Sequence, residues 1–298
     1  MIAAPRSARL LDHLVLPVAE LSTARRRLTQ LGFTVAADAQ HPFGTENACV
    51  FLADKTYLEP LAVGSREDCE AAALDGNVFV ARDQAYRFRR GQDGFSAIVL
   101  STDDAAGDHK RFAEKGISGG NMLDFSRAMT LPDGATAEAS FRLAFAADLR
   151  SPDFFLFTCQ RLKALPSDRA ALETHANGVT GMREVVLSEP NPTDFQYLLQ
   201  EAVDEREVTA HSFGMDIETR NVKISVLNPA GMAGFFGRRT SSRLRGLIGR
   251  AVVFTVTDLE ATGHLLAANA VEFIRKGERI IVPEAPGQGL LYVFGEQS

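Results

Sequence analysis

The run Leu10-Leu11-Asp12-His13-Leu14-Val15-Leu16-Pro17-Val18 is short, apolar and partly β-branched, and it reads as a strand. A second run, Tyr57-Leu58-Glu59-Pro60-Leu61, has the same character. Alternate side chains of a strand share a face, so His13 is expected to point with Leu11 and Val15, and Glu59 with Tyr57 and Leu61. Each strand then aims one polar group along an apolar face. Burying an unpaired neutral polar group costs roughly 2–7 kcal/mol, and an ion more, so both residues are expected to have partners. A shared metal ion or a substrate would be one such partner.

Between these strands Leu21, Ala24, Leu28 and Leu31 fall on one helical face, with Arg25, Arg26 and Arg27 largely off it, and Gly32 is placed to end the helix. Residues 33–61 alternate and turn at Gly44 and Asp54-Lys55, which gives two or three further strands. The same unit then recurs. Residues 95–100 form a strand, 103–115 a helix, and strands follow around Met129, 141–145 and 154–159. A third unit has a strand at 182–187, a helix near 194–203 and strands to Asn228; a fourth has a strand at 251–256, a helix at 258–268 and strands through Phe294. Residues 64–91 read as a connecting helix and loop, and 161–176, interrupted by Pro166, as an inter-domain linker. His13-Leu14-Val15-Leu16 aligns with Ala97-Ile98-Val99-Leu100, Glu184-Val185-Val186-Leu187 and Ala251-Val252-Val253-Phe254. His41-Pro42-Phe43-Gly44 falls 28 residues after His13, and His211-Ser212-Phe213-Gly214 falls 27 after Glu184, an echo that marks an internal repeat.

Composition narrows the function classes. The chain has 298 residues, 45% of them hydrophobic, enough for two domains with sizeable cores. A net charge of −6 disfavours nucleic acid and anionic membranes as partners, and leaves a small molecule. Cys49, Cys69 and Cys159 are odd in number and lack a CxxC spacing, so a reducing, cytoplasmic setting is expected. The N-terminal residues lack the continuous apolar core of a signal peptide, and no run approaches the ~18 apolar residues of a membrane span. Gly116-Ile117-Ser118-Gly119-Gly120 fits a nucleophile-elbow pattern but follows a helix, so it reads as a turn. No HExxH, P-loop or GxGxxG is present. The basic run at 237–245 suits a solvated loop better than an anion site.

The sequence resembles the vicinal oxygen chelate superfamily, which includes glyoxalase I, extradiol dioxygenases and bleomycin-resistance proteins, and in particular its glyoxalase-like domain branch. The likeness is carried by Asp12-His13-Leu14-Val15, the helix running to Leu31-Gly32-Phe33, His41-Pro42-Phe43-Gly44-Thr45-Glu46-Asn47 and Tyr57-Leu58-Glu59. Ser126-Arg127, Leu131-Pro132-Asp133-Gly134 and His175-Ala176-Asn177-Gly178 add to it. The resemblance implies an α+β fold of four βαβββ units, paired into two cupped mixed β-sheets. Residues 1–165 would form the first glyoxalase-like domain, with the ligand or metal cup, and 166–298 a degenerate second.

The resemblance also implies ligands on the first and last strands of each unit, which places His13 and Glu59 at metal positions for a divalent iron, manganese, nickel or zinc ion. Ala97 and Ala251 stand at the first-strand position of units two and four, and Phe157 at the last-strand position of unit two, so the expected ligand set is incomplete. His13 is equally readable as a hydrogen-bonded core histidine, whereas a carboxylate such as Glu59 is almost never fully buried unpaired. His41, Thr45 and Asn47 suit a polar loop rimming a pocket, or a plain turn. Two functions follow. In one, a metal-dependent lyase, isomerase or dioxygenase acts on a small oxygen-rich molecule, with His41 and Glu59 catalytic. In the other, a metal-free cup sequesters its ligand. Thr45, Asn47, Tyr57, Arg127, Phe155 and Phe157 are the expected substrate contacts, with Phe43 beside them. Glu184 reads as a surface or paired strand residue. The second pair of units is expected to scaffold the first cup or to form a homodimer contact, unless a ligand sits between Glu184 and His211.

Overall fold

Strand and helix alternate as the periodicities require, four times over. In the computed structural model, which describes residues 7–130, 136–163 and 170–296, the first unit is β1 (Leu11–Pro17), α1 (Leu21–Gln30), the short strands β2 (Ala39–Gln40), β3 (Thr45–Asn47) and β4 (Val50–Phe51), and β5 (Tyr57–Val63). Two helices, α2 (Arg66–Leu74) and α3 (Val78–Arg90), replace the expected single connector. The second unit is β6 (Ala97–Ser101), α4 (Ala105–Glu114), β7 (Leu123–Thr130), β8 (Thr136–Ala146) and β9 (Phe155–Lys163). The third is β10 (Val179–Ser188), α5 (Gln196–Val203), β11 (Thr209–His211), β12 (Gly214–Glu218) and β13 (Lys223–Leu227). After α6 (Pro229–Phe236) comes the fourth: β14 (Ile248–Val256), α7 (Leu259–Ala268), β15 (Ile274–Arg275), β16 (Ile280–Val282) and β17 (Leu291–Glu296). Ser65, Asn77, Asp104, Asn228 and Asp258 start α2, α3, α4, α6 and α7 by accepting a hydrogen bond from a first-turn N–H. Leu131-Pro132-Asp133-Gly134, Pro166 and the expected boundary between 165 and 166 lie outside the described residues.

The strands form two sheets. The first runs β2-β3-β5-β1-β6-β9-β8-β7, with β4 on β5, and the second β11-β12-β13-β10-β14-β17-β16-β15. Within each, the first strands of two units pair antiparallel at the centre, and each pairs parallel with the last strand of its own unit. This is the α+β fold of paired βαβββ units.

Helices α1, α4, α5 and α7 fill the space between the sheets. Leu28, Phe112, Leu199 and Leu266 share one continuous core there with Leu14, Ile98, Val185 and Phe254 of the strands. The other faces are the cups. That of the first sheet is lined by Val15, Leu61, Val99 and Phe157, and α3 covers part of it with Phe79 and Val80. The cup of the second sheet is packed by Met232 and Phe236 of α6, a helix not expected from the sequence.

One detail departs from strict alternation. Leu11 lies opposite Leu100 and His13 opposite Val99, so β1 advances two residues where β6 advances one. The extra residue is a β-bulge, and it breaks the face assignment. Leu11 packs with Leu14 and Leu16 in the inter-sheet core, not with His13 and Val15 as period two requires. Asp12 and His13 instead stand next to each other over the cup, 3.5 Å apart from Oδ1 to Nδ1. The same shift occurs at Arg183-Glu184 on β10 and at Arg250-Ala251 on β14.

The two ends of the expected linker are held in place. β9 continues to Lys163, so Arg161 belongs to the sheet. His175 accepts from the Thr34 N–H through Nδ1 at 3.1 Å and donates through Nε2 to the Phe51 carbonyl at 3.0 Å, and Asn177 donates to the Leu31 carbonyl. These contacts fix the junction to the end of α1 and keep His175 out of the cup.

Candidate acid-base site in the first cup

Three elements bring the titratable groups together. The bulge of β1 supplies Asp12 and His13, and the parallel neighbour β5 supplies Tyr57 and Glu59, opposite His13 and Val15. The turn between β2 and β3 supplies His41. It is tight because Gly44 holds φ +89°, and a Cβ there would lie 2.6 Å from the Ser65 carbonyl.

The side chains form a chain of alternating charge. Arg161 donates two hydrogen bonds to Asp12, at 2.6 and 2.8 Å. Asp12 faces His13 Nδ1, and His13 Nε2 lies 3.4 Å from Glu59 Oε2. On the far side, Glu59 Oε1 accepts from Asn47 Nδ2 at 2.6 Å and lies 3.7 Å from His41 Nε2. His41 Nδ1 meets the Thr45 hydroxyl at 2.9 Å. The Tyr57 ring stacks on His13 with centroids 4.2 Å apart. Asp12, His13, His41 and Glu59 are each less than 10% exposed.

Burial and neighbours set the charges. Burial favours neutral Asp12 and Glu59, but His13 overrides it for both, helped by Arg161 at Asp12. Asp12 is held well below the usual carboxylate range, and Glu59 is lowered to about 2. Burial likewise opposes charging His13, yet the two carboxylates raise its pKa. His41 goes the other way: burial foremost, despite Glu59, with Arg127 and His13 adding repulsion, lowers it to about 4. The two imidazoles beside Glu59 are therefore shifted in opposite directions, His13 toward its charged form and His41 toward its neutral one. Cys159 is no nucleophile, since burial first and the nearby carboxylates next push its thiol up to about 12.

These groups face two connected chambers. The inner one, about 40 Å³, holds His13, His41 and Glu59 among Phe43, Phe79 and Phe125. The outer one, about 360 Å³, is lined by Asp12, Phe51, Lys55, Arg161 and Lys163, and it shares Tyr57, Glu59, Arg127 and Phe141 with the inner. A larger surface groove of about 700 Å³ runs between α3, the Gly116–Gly119 turn and Tyr197. Its charged groups are engaged elsewhere, Arg89 with Asp153, Arg82 with the Gly119 carbonyl and Asp148 with Arg150.

Of the residues singled out in the sequence, the structure brings His13, His41, Tyr57, Glu59, Arg127 and Phe157 onto the inner chamber wall. Thr45 and Asn47 stand behind His41 and Glu59, and Phe155 packs against Phe145 and under Arg82, away from the chamber. Asp12, Arg161, Phe79, Phe125 and Phe141 are not among the site residues expected from the sequence. Asp12 was screened out by the period-two rule that its bulge breaks, and Phe79 by its place in a presumed connector.

A divalent ion, as the resemblance implies, would need ligands beyond His13 and Glu59. In the second unit the register puts Ala97 opposite Phe155 and Val99 opposite Phe157, so the matching positions hold Ala97 and Phe157 and donate nothing. The two imidazoles address different oxygens of Glu59, and Asn47 already occupies one. Among the described residues no group of three His, Cys, Asp or Glu side chains is placed to hold an ion. The residues present do not fit a resident divalent metal.

Comparison with known proteins places the fold. A family model described as "Glyoxalase-like domain" matches residues 11–203. Curated proteins gave no match. Among solved structures, a hypothetical protein from Staphylococcus aureus superposes with a TM-score of 0.65 at 12% identity, over 96% of this chain and 99% of that one. A mutant 4-hydroxymandelate synthase from Streptomyces coelicolor gives 0.58 at 15% identity, over 99% and 95%. A Mn(II)-bound glyoxalase from Novosphingobium aromaticivorans gives 0.52 at 9% identity, over 98% and 82%.

Proposed function

The chain belongs to the glyoxalase-like domain family of the vicinal oxygen chelate superfamily, and from that premise we propose that its first cup is the active site of a lyase or isomerase that moves a proton within a small, carbonyl-bearing molecule. The observation that carries this reading is Glu59 flanked by two imidazoles, His13 and His41, on the wall of an aromatic chamber. Buried titratable groups with opposed shifts cluster where proton transfer is done.

In the tautomer whose Nδ1–H donates to Thr45, His41 keeps a lone pair at Nε2 beside Glu59. That nitrogen takes the proton from the carbon next to the substrate carbonyl, and the C–H electron pair becomes the enolate double bond. Glu59, kept ionised by His13, stabilises the imidazolium that forms. Returning the proton to the same carbon from the other face inverts it. Where that carbon bears a hydroxyl, protonating the former carbonyl carbon while the hydroxyl proton moves to the former carbonyl oxygen exchanges the two groups. Neither outcome involves net oxidation. A positioned base of this kind contributes about 10²–10⁴-fold.

The test is proton NMR of deuterium uptake next to the carbonyl of 2-oxohexanoate and of hydroxyacetone. Uptake above the buffer rate is expected, falling about 100-fold or more in His41→Ala. Binding without uptake would replace the enzyme with a sequestering protein. Metal content is measured on the same preparation. A stoichiometric ion that is lost in both His13→Ala and Glu59→Ala would replace this mechanism with a metal-dependent one.

A further inference from the structure

Arg127 rises from β7 at the throat where the two chambers meet, its guanidinium carbon 5.8 Å from the centre of the Phe141 ring. Its Nε and Nη1 are shielded from water, and neither has a hydrogen-bond partner among the described residues. A guanidinium is always charged, so this half-buried cation has two donor nitrogens shielded from water and no anion paired with them. Of the other cations on the outer chamber wall, Arg161 is matched by Asp12 and Lys55 by Glu173, and Lys163 is exposed to solvent. Nearby carboxylates are committed as well. Glu59 serves Asn47 and the imidazoles, and Asp54 accepts from the backbone N–H groups of Thr56 and Met182.

From this we infer that the substrate is a 2-oxo or 2-hydroxy carboxylate, whose carboxylate pairs with Arg127 and whose side chain fills the outer chamber. The inference rests on the proposed active site and adds the chemical class of its ligand. The sizes of the chambers support it. Arg127, His41 and Glu59 all line an inner chamber of about 40 Å³, which holds only a few atoms, so the anion and the reacting carbon must lie within a bond or two of each other. The outer chamber, about 360 Å³, has room for a side chain of several carbons against Phe51 and Phe141. Pairing also bears on the chemistry: Arg127 is one of the charges that keep His41 neutral, and a bound carboxylate offsets it.

Titration calorimetry with 2-oxohexanoate and with its matched neutral ketone, 2-hexanone, tests this without requiring turnover. The acid is expected to bind at least tenfold tighter than the ketone, to lose at least tenfold in Arg127→Gln and to recover part of that in Arg127→Lys, while the ketone is unaffected. Equal affinities, no binding of the acid, or an acid affinity indifferent to Arg127→Gln would overturn the assignment. Arg127→Met supplies a readout independent of ligand. Removing an uncompensated cation should leave the melting temperature unchanged or raise it, and a clear fall would mean that Arg127 is a structural residue. Acid binding that depends on Arg127 without deuterium uptake would leave the anion site standing and remove only the proton-transfer reading. Uptake into 2-oxohexanoate that is indifferent to Arg127→Gln would do the reverse.

Discussion

His41 is a histidine that the fold keeps neutral, and its stability should show it. Its pKa is about 4 in the folded chain, because burial foremost and Arg127 and His13 next disfavour the cation, against about 6.5 unfolded. A depressed pKa gives stability that is complete above the unfolded value and is lost as pH falls through the folded one. The window is therefore pH 6.5 down to about 4, and a shift of this size is worth about 3 kcal/mol. Urea unfolding of wild type and His41→Phe across that range should show the wild type losing about this much more than the variant. Parallel losses would mean that His41 protonates freely. Glu59 titrates lower: its folded pKa of about 2 gives stability that begins to fade only below about 4.5, so it contributes little to the upper part of this window. His13, with a raised pKa, has the opposite sign, since its contribution is full below about 6.5 and is lost only as pH rises through its folded value. His41 could be seen in the sequence as a polar turn residue, but its protonation could not, because that depends on Phe79, Arg127 and Glu59 arriving from three other elements.

At the scale of elements, α6 decides what the second cup can do. Met232 and Phe236 pack with Val186, Val253 and Val293 over the face that carries the chemistry in the first sheet. The polar side chains left at its edge pair with one another: Ser225 donates to Glu184, and Lys223 lies 3.4 Å from it. Met232→Ala and Phe236→Ala are each expected to cost about 2–5 kcal/mol in urea unfolding while leaving ligand binding at the first cup intact. Loss of binding without loss of stability would put α6 in the functional site. The repeating units themselves were legible because apolar periods of two and 3.6 alternate four times with glycine or proline between them. The helix α6 was not, since Pro229-Ala230-Gly231-Met232-Ala233-Gly234 reads as turn chemistry. Its helix is held by the Asn228 cap and by what it packs on.

At the scale of the whole molecule, the two halves share one core. The inter-sheet cluster draws on all four units, and backbone hydrogen bonds cross it from Arg9 to Val203 and from Asn177 to Gly32. Gly289, at φ +70°, brings the fourth unit so close that a Cβ would lie 2.2 Å from the Gly94 nitrogen of the first half. Gly289→Ala should cost about 2–5 kcal/mol through strain and overlap together. Far- and near-ultraviolet circular dichroism should report a single urea transition that moves as one. Two transitions, with only one displaced, would show that the halves unfold independently. This union was not legible in the sequence, where two pairs of units and a polar segment between them suggest separate domains.

The bulge on β1 has a consequence for how such a protein can be rewritten. Strict alternation offers one inward side chain for every two residues, so a pair of cooperating groups must be recruited from different strands. An inserted residue lets neighbours in sequence become neighbours in the cavity, as Asp12 and His13 are. The chain carries this opening at Arg183-Glu184 and Arg250-Ala251 as well, written there in other letters. At each, the scaffold already tolerates the extra residue, so a transplanted acid-base couple would need only the packing of α6 cleared to reach a cavity.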